Sequence, residues 1–306
     1  FPPAIWMTKM ILGSWTDGLL FLALGAGALG IIGLLSGFLY NRSLLNYNQA
    51  GSRATKEKIR YRKGRLQVVL LRRHLGVIFS NPTFMLNSLL TIFVPVLIFV
   101  LYNLIGVMDL DTLKSPMLEP FRLYIYTGIL LSPSIMGSLS ATVISREGRS
   151  FWETRVLPIS FKDNLKARMN STLLLTGLGE LAVGILALLV IPVGWKGILL
   201  AVFATAAGTF ALSAVDLIIN VQRPMLQWTN PTAAVKNNLN VMLSLASRVV
   251  LGALIYGLYR LAELMGFGQD PELHVLLAGI VLLIIWLIAR SLLYGPYTEK
   301  FRRIEL

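Results

Sequence analysis

The sequence predicts an all-α integral membrane protein of about seven transmembrane helices, with one amphipathic helix at the membrane interface and one short charged helix between two spans. Three observations carry this. Hydrophobic residues make up 55% of the 306 and charged residues only 14%, against roughly a quarter charged in an ordinary soluble domain. Seven segments, about 19–40, 84–107, 122–144, 171–193, 197–219, 241–262 and 275–294, each supply the roughly 20 mostly apolar residues that cross a bilayer core. The basic residues fall on alternate connections: ten between Arg42 and Arg73, six between Arg146 and Arg168, Arg223 and Lys236, and four from Arg290 to Arg303, against Lys9, Lys114, Arg122, Lys196 and Arg260 on the other set. By the positive-inside rule the N-terminal segment lies outside and the C-terminus is cytoplasmic.

Composition excludes several chemistries. Without cysteine there are no disulfides, thiolate metal sites or cysteine nucleophiles, and two histidines, His74 and His274, do not make a histidine-rich metal site. A net charge of +13 in a soluble protein points to nucleic acid, but here the charges follow the loops, so nucleic acid is not an expected partner. A membrane enzyme has no support from motifs: there is no HExxH, no serine with a paired histidine and no interfacial carboxylate cluster, and His274 sits at the outer boundary of the last span without a nucleophile nearby. No internal repeat supports an inverted-repeat carrier.

Residues 1–18 read as an extracytoplasmic or interfacial segment. Phe1-Pro2-Pro3-Ala4 lacks an initiator Met and a charged leader region, which predicts sequence upstream. In the span 19–40, Ala23, Ala26, Gly27, Gly30, Gly33 and Gly37 form small-xxx-small pairs, the mark of a close packing face within the subunit or at a dimer interface. Residues 41–83 hold a basic polar stretch and then an amphipathic helix. Its Leu71, Leu75, Ile78 and Phe79 repeat at helical spacing with Arg65, Arg72 and Arg73 mostly off the stripe, so it is expected to lie in the headgroup plane, or else to pack on the chain's own loops. His74 reads as an interfacial polar residue.

The spans of 84–144 carry Pro95 and Pro133, which can kink them. In the connection 145–170, Phe151, Trp152 and Val156 form a small apolar face on a charged helix that Pro158 stops, and Ser160 with Asp163 starts the next helix as a capping box. An exposed aromatic pair there needs a cover, either a partner protein or the headgroup layer. After the spans of 171–219, residues 220–240 form a second loop in which Pro224 ends a helix and Thr229 or Asn230 caps the next, with Pro231 in its first turn. Trp228 reads there as an interface anchor. The spans of 241–294 and a tail, 295–306, complete the chain.

Two charges fall deep within spans. Glu180 needs a proton or a partner at its depth, and Arg248 can snorkel or reach Glu180. They are read as a structural ion pair, as a substrate or proton path, or as groups satisfied separately by backbone and water. Asp216 lies within reach of Arg223, a local ion pair.

The motifs Ser80-Asn81-Pro82-Thr83-Phe84, Ser145-Arg146-Glu147-Gly148-Arg149-Ser150-Phe151-Trp152 with Leu157-Pro158-Ile159-Ser160, and Arg223-Pro224-Met225-Leu226-Gln227-Trp228-Thr229-Asn230-Pro231 with Lys236-Asn237-Asn238 resemble those of the bacterial putative ABC exporter permeases of ABC-2 type, most clearly over residues 64–294. Members of that family are usually longer at the N-terminus. The resemblance implies a multi-pass subunit of the bacterial cytoplasmic membrane, working as a dimer with a second permease copy or homologous half and with a separate cytoplasmic ABC ATPase. The amphipathic helix would then match the elbow or connecting helix. Residues 147–157 would match the coupling helix, with Glu147, Arg149, Phe151, Trp152 and Arg155 facing the ATPase and Arg223, Trp228, Asn230 and Lys236 on the second loop. The chain lacks a G-x-x-x-x-G-K-[ST] loop, so ATP and Mg are expected only on the partner. The alternative is an ATP-independent carrier or channel working through Glu180 and Arg248.

Overall fold

The computed structural model describes residues 2–50, 64–104, 114–267 and 270–305, with no strand among the described residues. Among the described residues seven helical segments, one of them the interrupted Pro116–Val156, are long and apolar enough to cross a membrane. The chain divides into two units, Phe1–Lys63 and Gly64–Leu306.

In the first unit α1 (Pro2–Ile11) turns through Gly13, at φ 97°, into α2 (Trp15–Ala50). Ser14 donates to the Asp17 carboxylate at 2.6 Å and accepts the Asp17 N–H, fixing the start of α2. With 36 residues, α2 is about 54 Å long. It therefore runs past the expected span end at residue 40, because no Gly or Pro interrupts Asn41–Ala50. The rest of the expected basic stretch, 51–63, lies outside the described residues.

The second unit begins with α3 (Leu66–Ser80). Its buried stripe is Leu70, His74 and Ile78, one position earlier than the expected Leu71–Leu75–Ile78–Phe79 face, and Phe79 is exposed. The helix packs against α4 (Pro82–Leu104) and α7 (Phe161–Leu188), so that face meets two long helices rather than the chain's own loops. The Asn81 carboxamide oxygen accepts from Thr83 and Phe84 N–H, and Pro82 occupies the first turn of α4.

The expected span 122–144 is interrupted. Helix α5 (Arg122–Met136) holds 15 residues, about 22 Å, short of the ~30 Å hydrocarbon core. The chain turns extended at Gly137 and continues as 3-10 turns, Ser140–Thr142 and Ser145–Phe151, before α6 (Trp152–Val156). The apolar run hides the break, since Pro133 and Gly137 weaken the helix without changing hydropathy. Ser160 then caps α7, accepting the Asp163 N–H at 3.0 Å and donating to its carboxylate at 2.6 Å. Helix α8 (Trp195–Gln222) forms the centre of the unit, in contact with α5, α7, α10 (Leu239–Ala262) and α11 (Pro271–Tyr294). Asn230 rather than Thr229 caps the short α9 (Pro231–Val235), and α12 (Pro296–Arg302) follows α11.

Two large apolar clusters hold this unit. One, with Ile144, Phe151, Leu165, Leu217, Leu293 and Phe301, lies at the end that carries the basic segments; the other, with Tyr126, Leu130, Ile191 and Ala201, lies at the far end. The polar residues of interest lie at the first cluster and between the two.

Candidate functional site

A broken span exposes backbone donors and acceptors that bilayer hydrocarbon cannot satisfy, so such backbone survives only where protein groups collect it. That requirement organises two polar sites among the described residues.

The first collects the end of α5. Arg248, on α10, donates from Nε and Nη2 to the Ser134 carbonyl at 3.3 and 3.1 Å and from Nη2 to the Gly137 carbonyl at 2.5 Å. These are terminal carbonyls of the half-helix, where a cation also meets the favourable end of the helix dipole. The same guanidinium pairs with Asp216 of α8, Nη2 to Oδ2 at 2.9 Å and Nη1 to Oδ1 at 3.0 Å, and Ser244 donates to Oδ1 at 2.6 Å. Glu180 sits beside this network, accepting from the hydroxyls of Ser134, at 2.6 Å, and Thr209. Two expectations are corrected here. Arg248 pairs with Asp216, not Glu180, and Asp216 does not pair with Arg223, because the fold brings α10 against α8 at this level. Glu180 and Arg248 still share Ser134, through its hydroxyl and its carbonyl.

The second site collects residues 143–148, at the basic end. Asn220 accepts from Ile144 N–H at 2.7 Å and donates to Ser145 Oγ at 2.8 Å; Met225 N–H donates to the same hydroxyl at 3.0 Å, and Trp228 Nε1 to the Ser145 carbonyl at 2.8 Å. Gly148, at φ 50°, lies directly under the Trp228 indole, where a Cβ would come within 2.7 Å of the ring. Trp228 also meets Phe84 edge-on with centroids 5.7 Å apart. It is therefore a cover on this loop rather than an interface anchor. Together these bonds tie the two segments singled out from sequence, 145–157 and 220–230, into one body.

Beneath them lies a buried charge cluster. Arg168 of α7, fully buried, stands 2.7 Å from the Glu147 carboxylate and donates to Asn164 at 2.7 Å and Thr154 at 3.1 Å. Its guanidinium lies over the rings of Phe151 and Phe301, at 5.8 and 5.4 Å. Thr154 donates to Glu147 at 3.0 Å and also accepts from Arg73 of α3. His74 Nδ1 lies 3.4 Å from Glu147. Burial, with the nearby Arg168 charge, lowers the His74 pKa from 6.5 to about 4, against the opposing pull of Glu147.

This shift sets a sign. Between about pH 6.5 and 4 the unfolded chain takes up a proton that native His74 refuses, so stability rises with pH through that window and falls on acidification, by up to about 1.4 kcal/mol per pH unit. Melting temperature in detergent is expected to drop from pH 7 to pH 4.5 with a smaller slope in His74→Gln; equal slopes would refute the assignment.

The expected coupling residues divide. Glu147 and Phe151 are buried, and Arg155 donates to the Ile304 carbonyl. Arg149 is exposed, and Trp152 and Val156 on the five-residue α6, 54% and 66% exposed, form an apolar patch with Leu157, the extended residue that follows it. Phe151 therefore leaves the expected exposed pair, because the 3-10 turn before α6 rotates it inward onto Phe301. On the second loop Arg223, Asn230 and Lys236 are exposed; the Arg223 carbonyl accepts from Asn240 at 2.8 Å. Sequence reasoning passed over Arg168, Asn220 and Ser134, and the one available signal was an Arg or Asn within or bordering an apolar span. No family model, no curated protein and no solved structure matches the chain.

Proposed function

We propose that this protein is the membrane-spanning permease subunit of an ABC-type exporter, forming the translocation path and coupling to a separate cytoplasmic ATP-binding subunit that supplies ATP and Mg. The supporting observation is the Trp152–Val156–Leu157 patch: apolar and exposed, on a short helix among charged residues, and tied through Glu147, Thr154 and Arg168 to α3 and α7. A patch that only met lipid headgroups would not need a fully buried ion pair behind it. A patch that receives force from a partner does, since a load applied at α6 must reach the spans without being lost in a soft loop. In this reading Arg149, Arg223 and Lys236 border the docking surface, the permease works with a second copy or homologous half, and the basic side faces the cytoplasm of a bacterial cell. The carrier alternative is disfavoured because Arg248 is already engaged by Asp216 and two carbonyls.

The test separates docking from folding. Purified in mild detergent from its native membrane, the chain is expected to bring with it a stoichiometric ATPase. Trp152→Ser with Val156→Ser is expected to remove that partner at unchanged melting temperature, whereas Phe151→Ala is expected to lower the melting temperature through the lost packing on Phe301 and Arg168. Absence of any co-purifying ATPase from the unaltered chain, or its full retention in the double variant, would overturn the proposal.

A further inference from the structure

At the end of the second unit away from the basic segments, α5, α8, α10 and α11 enclose a cavity of about 350 Å³, within the range of roughly 300–1,000 Å³ common for small-molecule sites. Leu131, Ala204, Ile255, Val275 and Leu282 make its walls, and no charged side chain lines it. Gly128, Gly252 and Tyr256 at its rim are exposed, so it opens on the surface of helices that cross the membrane. Its opening therefore faces lipid.

The polar groups of the cavity gather mainly near its outer level. His274 and Tyr124 both lie within the first turn of their helices, α11 and α5, with Tyr124 Oη 2.5 Å from His274 Nδ1. Tyr259 meets the imidazole edge-on at 4.9 Å. His274 is 7% exposed, and its Nε2 has no partner among the described residues. A buried ring nitrogen left without a hydrogen bond is costly, so its retention calls for a ligand that supplies one. Below that level the walls are hydrocarbon: Leu131 lies about 14 Å along α5 from its start, and Leu282 about 17 Å along α11.

We propose that the cavity holds one acyl chain of a glycerolipid from the adjacent leaflet, with the chain running down towards Leu131 and Leu282 and the ester carbonyl at the level of His274, whose Nε2, buried and unpartnered among the described residues, it meets on a turn of the imidazole. The level of His274, one turn inside the helix ends, is that of the ester groups where headgroup region meets hydrocarbon core. The neutral lining suits an ester rather than a phosphate or ammonium; of the charged residues at this end, Glu119, Arg122, Lys196, Asp270 and Glu272 line a different groove, and Arg260 pairs with Glu263. The bond to the ester requires the tautomer in which the Tyr124 hydroxyl donates to Nδ1 and Nε2 carries the ring hydrogen. The proposal does not depend on an ATPase partner.

The test uses the whole chain in vesicles of phosphatidylethanolamine and phosphatidylglycerol doped with a phospholipid bearing a diazirine in the upper half of one acyl chain. After illumination, labelled peptides are mapped by mass spectrometry. Labelling within residues 124–131, 252–259 and 274–282 is expected to exceed that at the lipid-exposed Leu181 and Ile185 of α7 several-fold. Gly128→Leu, whose side chain enters open space at the cavity, is expected to reduce the cavity label several-fold and leave the α7 label unchanged. His274→Phe is expected to reduce it and His274→Gln, which keeps an N–H donor, to retain more. Cavity labelling no higher than α7 in the unaltered chain would overturn the proposal whether or not the variants fold, and so would a raised label that survives Gly128→Leu.

Discussion

Arg248→Ala is expected to cost about 3–5 kcal/mol, the range for removing one member of a buried ion pair, and to lower the melting temperature by roughly 10 °C or more. The substitution leaves the Asp216 carboxylate without its cation and frees the Ser134 and Gly137 carbonyls at the end of a half-helix. Arg248→Lys is expected to recover only part of the loss, because one ammonium cannot reach a carboxylate and two carbonyls at once with the planar fork of a guanidinium. Exchanging the charges, Asp216→Arg with Arg248→Asp, is expected to fail as well: a carboxylate on α10 would face the same carbonyls as an acceptor facing acceptors. Thermal unfolding in detergent decides this. Full rescue by the charge exchange would show a simple ion pair and refute the capping role. Glu180→Arg with Arg248→Glu is expected to rescue nothing, since Glu180 takes its bonds from Ser134 and Thr209.

Glu147→Ala is expected to be comparably damaging, again at about 3–5 kcal/mol. It would strand Arg168, which is fully buried, next to Arg146, which is also buried and donates to the Thr142 hydroxyl at 2.8 Å. Two buried cations would then share the pocket with Thr142, Thr154 and Asn164 but with no carboxylate paired to either among the described residues. Arg168→Met should lose less than Glu147→Ala because its aliphatic stem still fills the space between Phe151 and Phe301. In a double-mutant cycle of Glu147→Gln and Arg168→Met, a coupling energy of about 1–3 kcal/mol is expected. Independent, additive losses would remove Glu147 and Arg168 as the link behind α6. Under the proposed exporter function, Glu147→Gln is expected to weaken coupling of ATP hydrolysis to transport more than partner binding, and Trp152→Ser with Val156→Ser is expected to abolish binding.

The spans and helix starts were legible because each rests on local chemistry. Hydropathy marks the spans, and Ser160, Asn230 and Pro231 act within three residues of themselves. The pairings were not legible. His74 and Glu147 stand 73 positions apart in the chain, Asp216 and Arg248 stand 32 apart, and nothing local to either partner selects the other. The break at Gly137 was hidden for a different reason: Leu139, Ala141, Val143 and Ile144 continue the apolar run beyond it, and hydropathy responds to side chains rather than to backbone bonding. The exposure of Trp152 against Phe151 turned on a single rotation of the chain between a 3-10 turn and a five-residue helix. Periodicity does not resolve phase over so short a piece.

The packing of α10 has a mechanical consequence. Its buried residues are Asn240, Ser244, Arg248 and Ala262, and between the last two the helix meets the rest of the unit through partly buried side chains such as Ile255 and Tyr259. A rod held firmly near one end and more loosely along the other tilts about its last firm fastening. From Arg248 to Tyr259 the arm is about 16 Å, and a tilt of about 10° about that fastening would carry Tyr259 roughly 3 Å. A tilt at the guanidinium that also closes the end of the broken span would thus change the width of the gap between α10 and its neighbours α5 and α11.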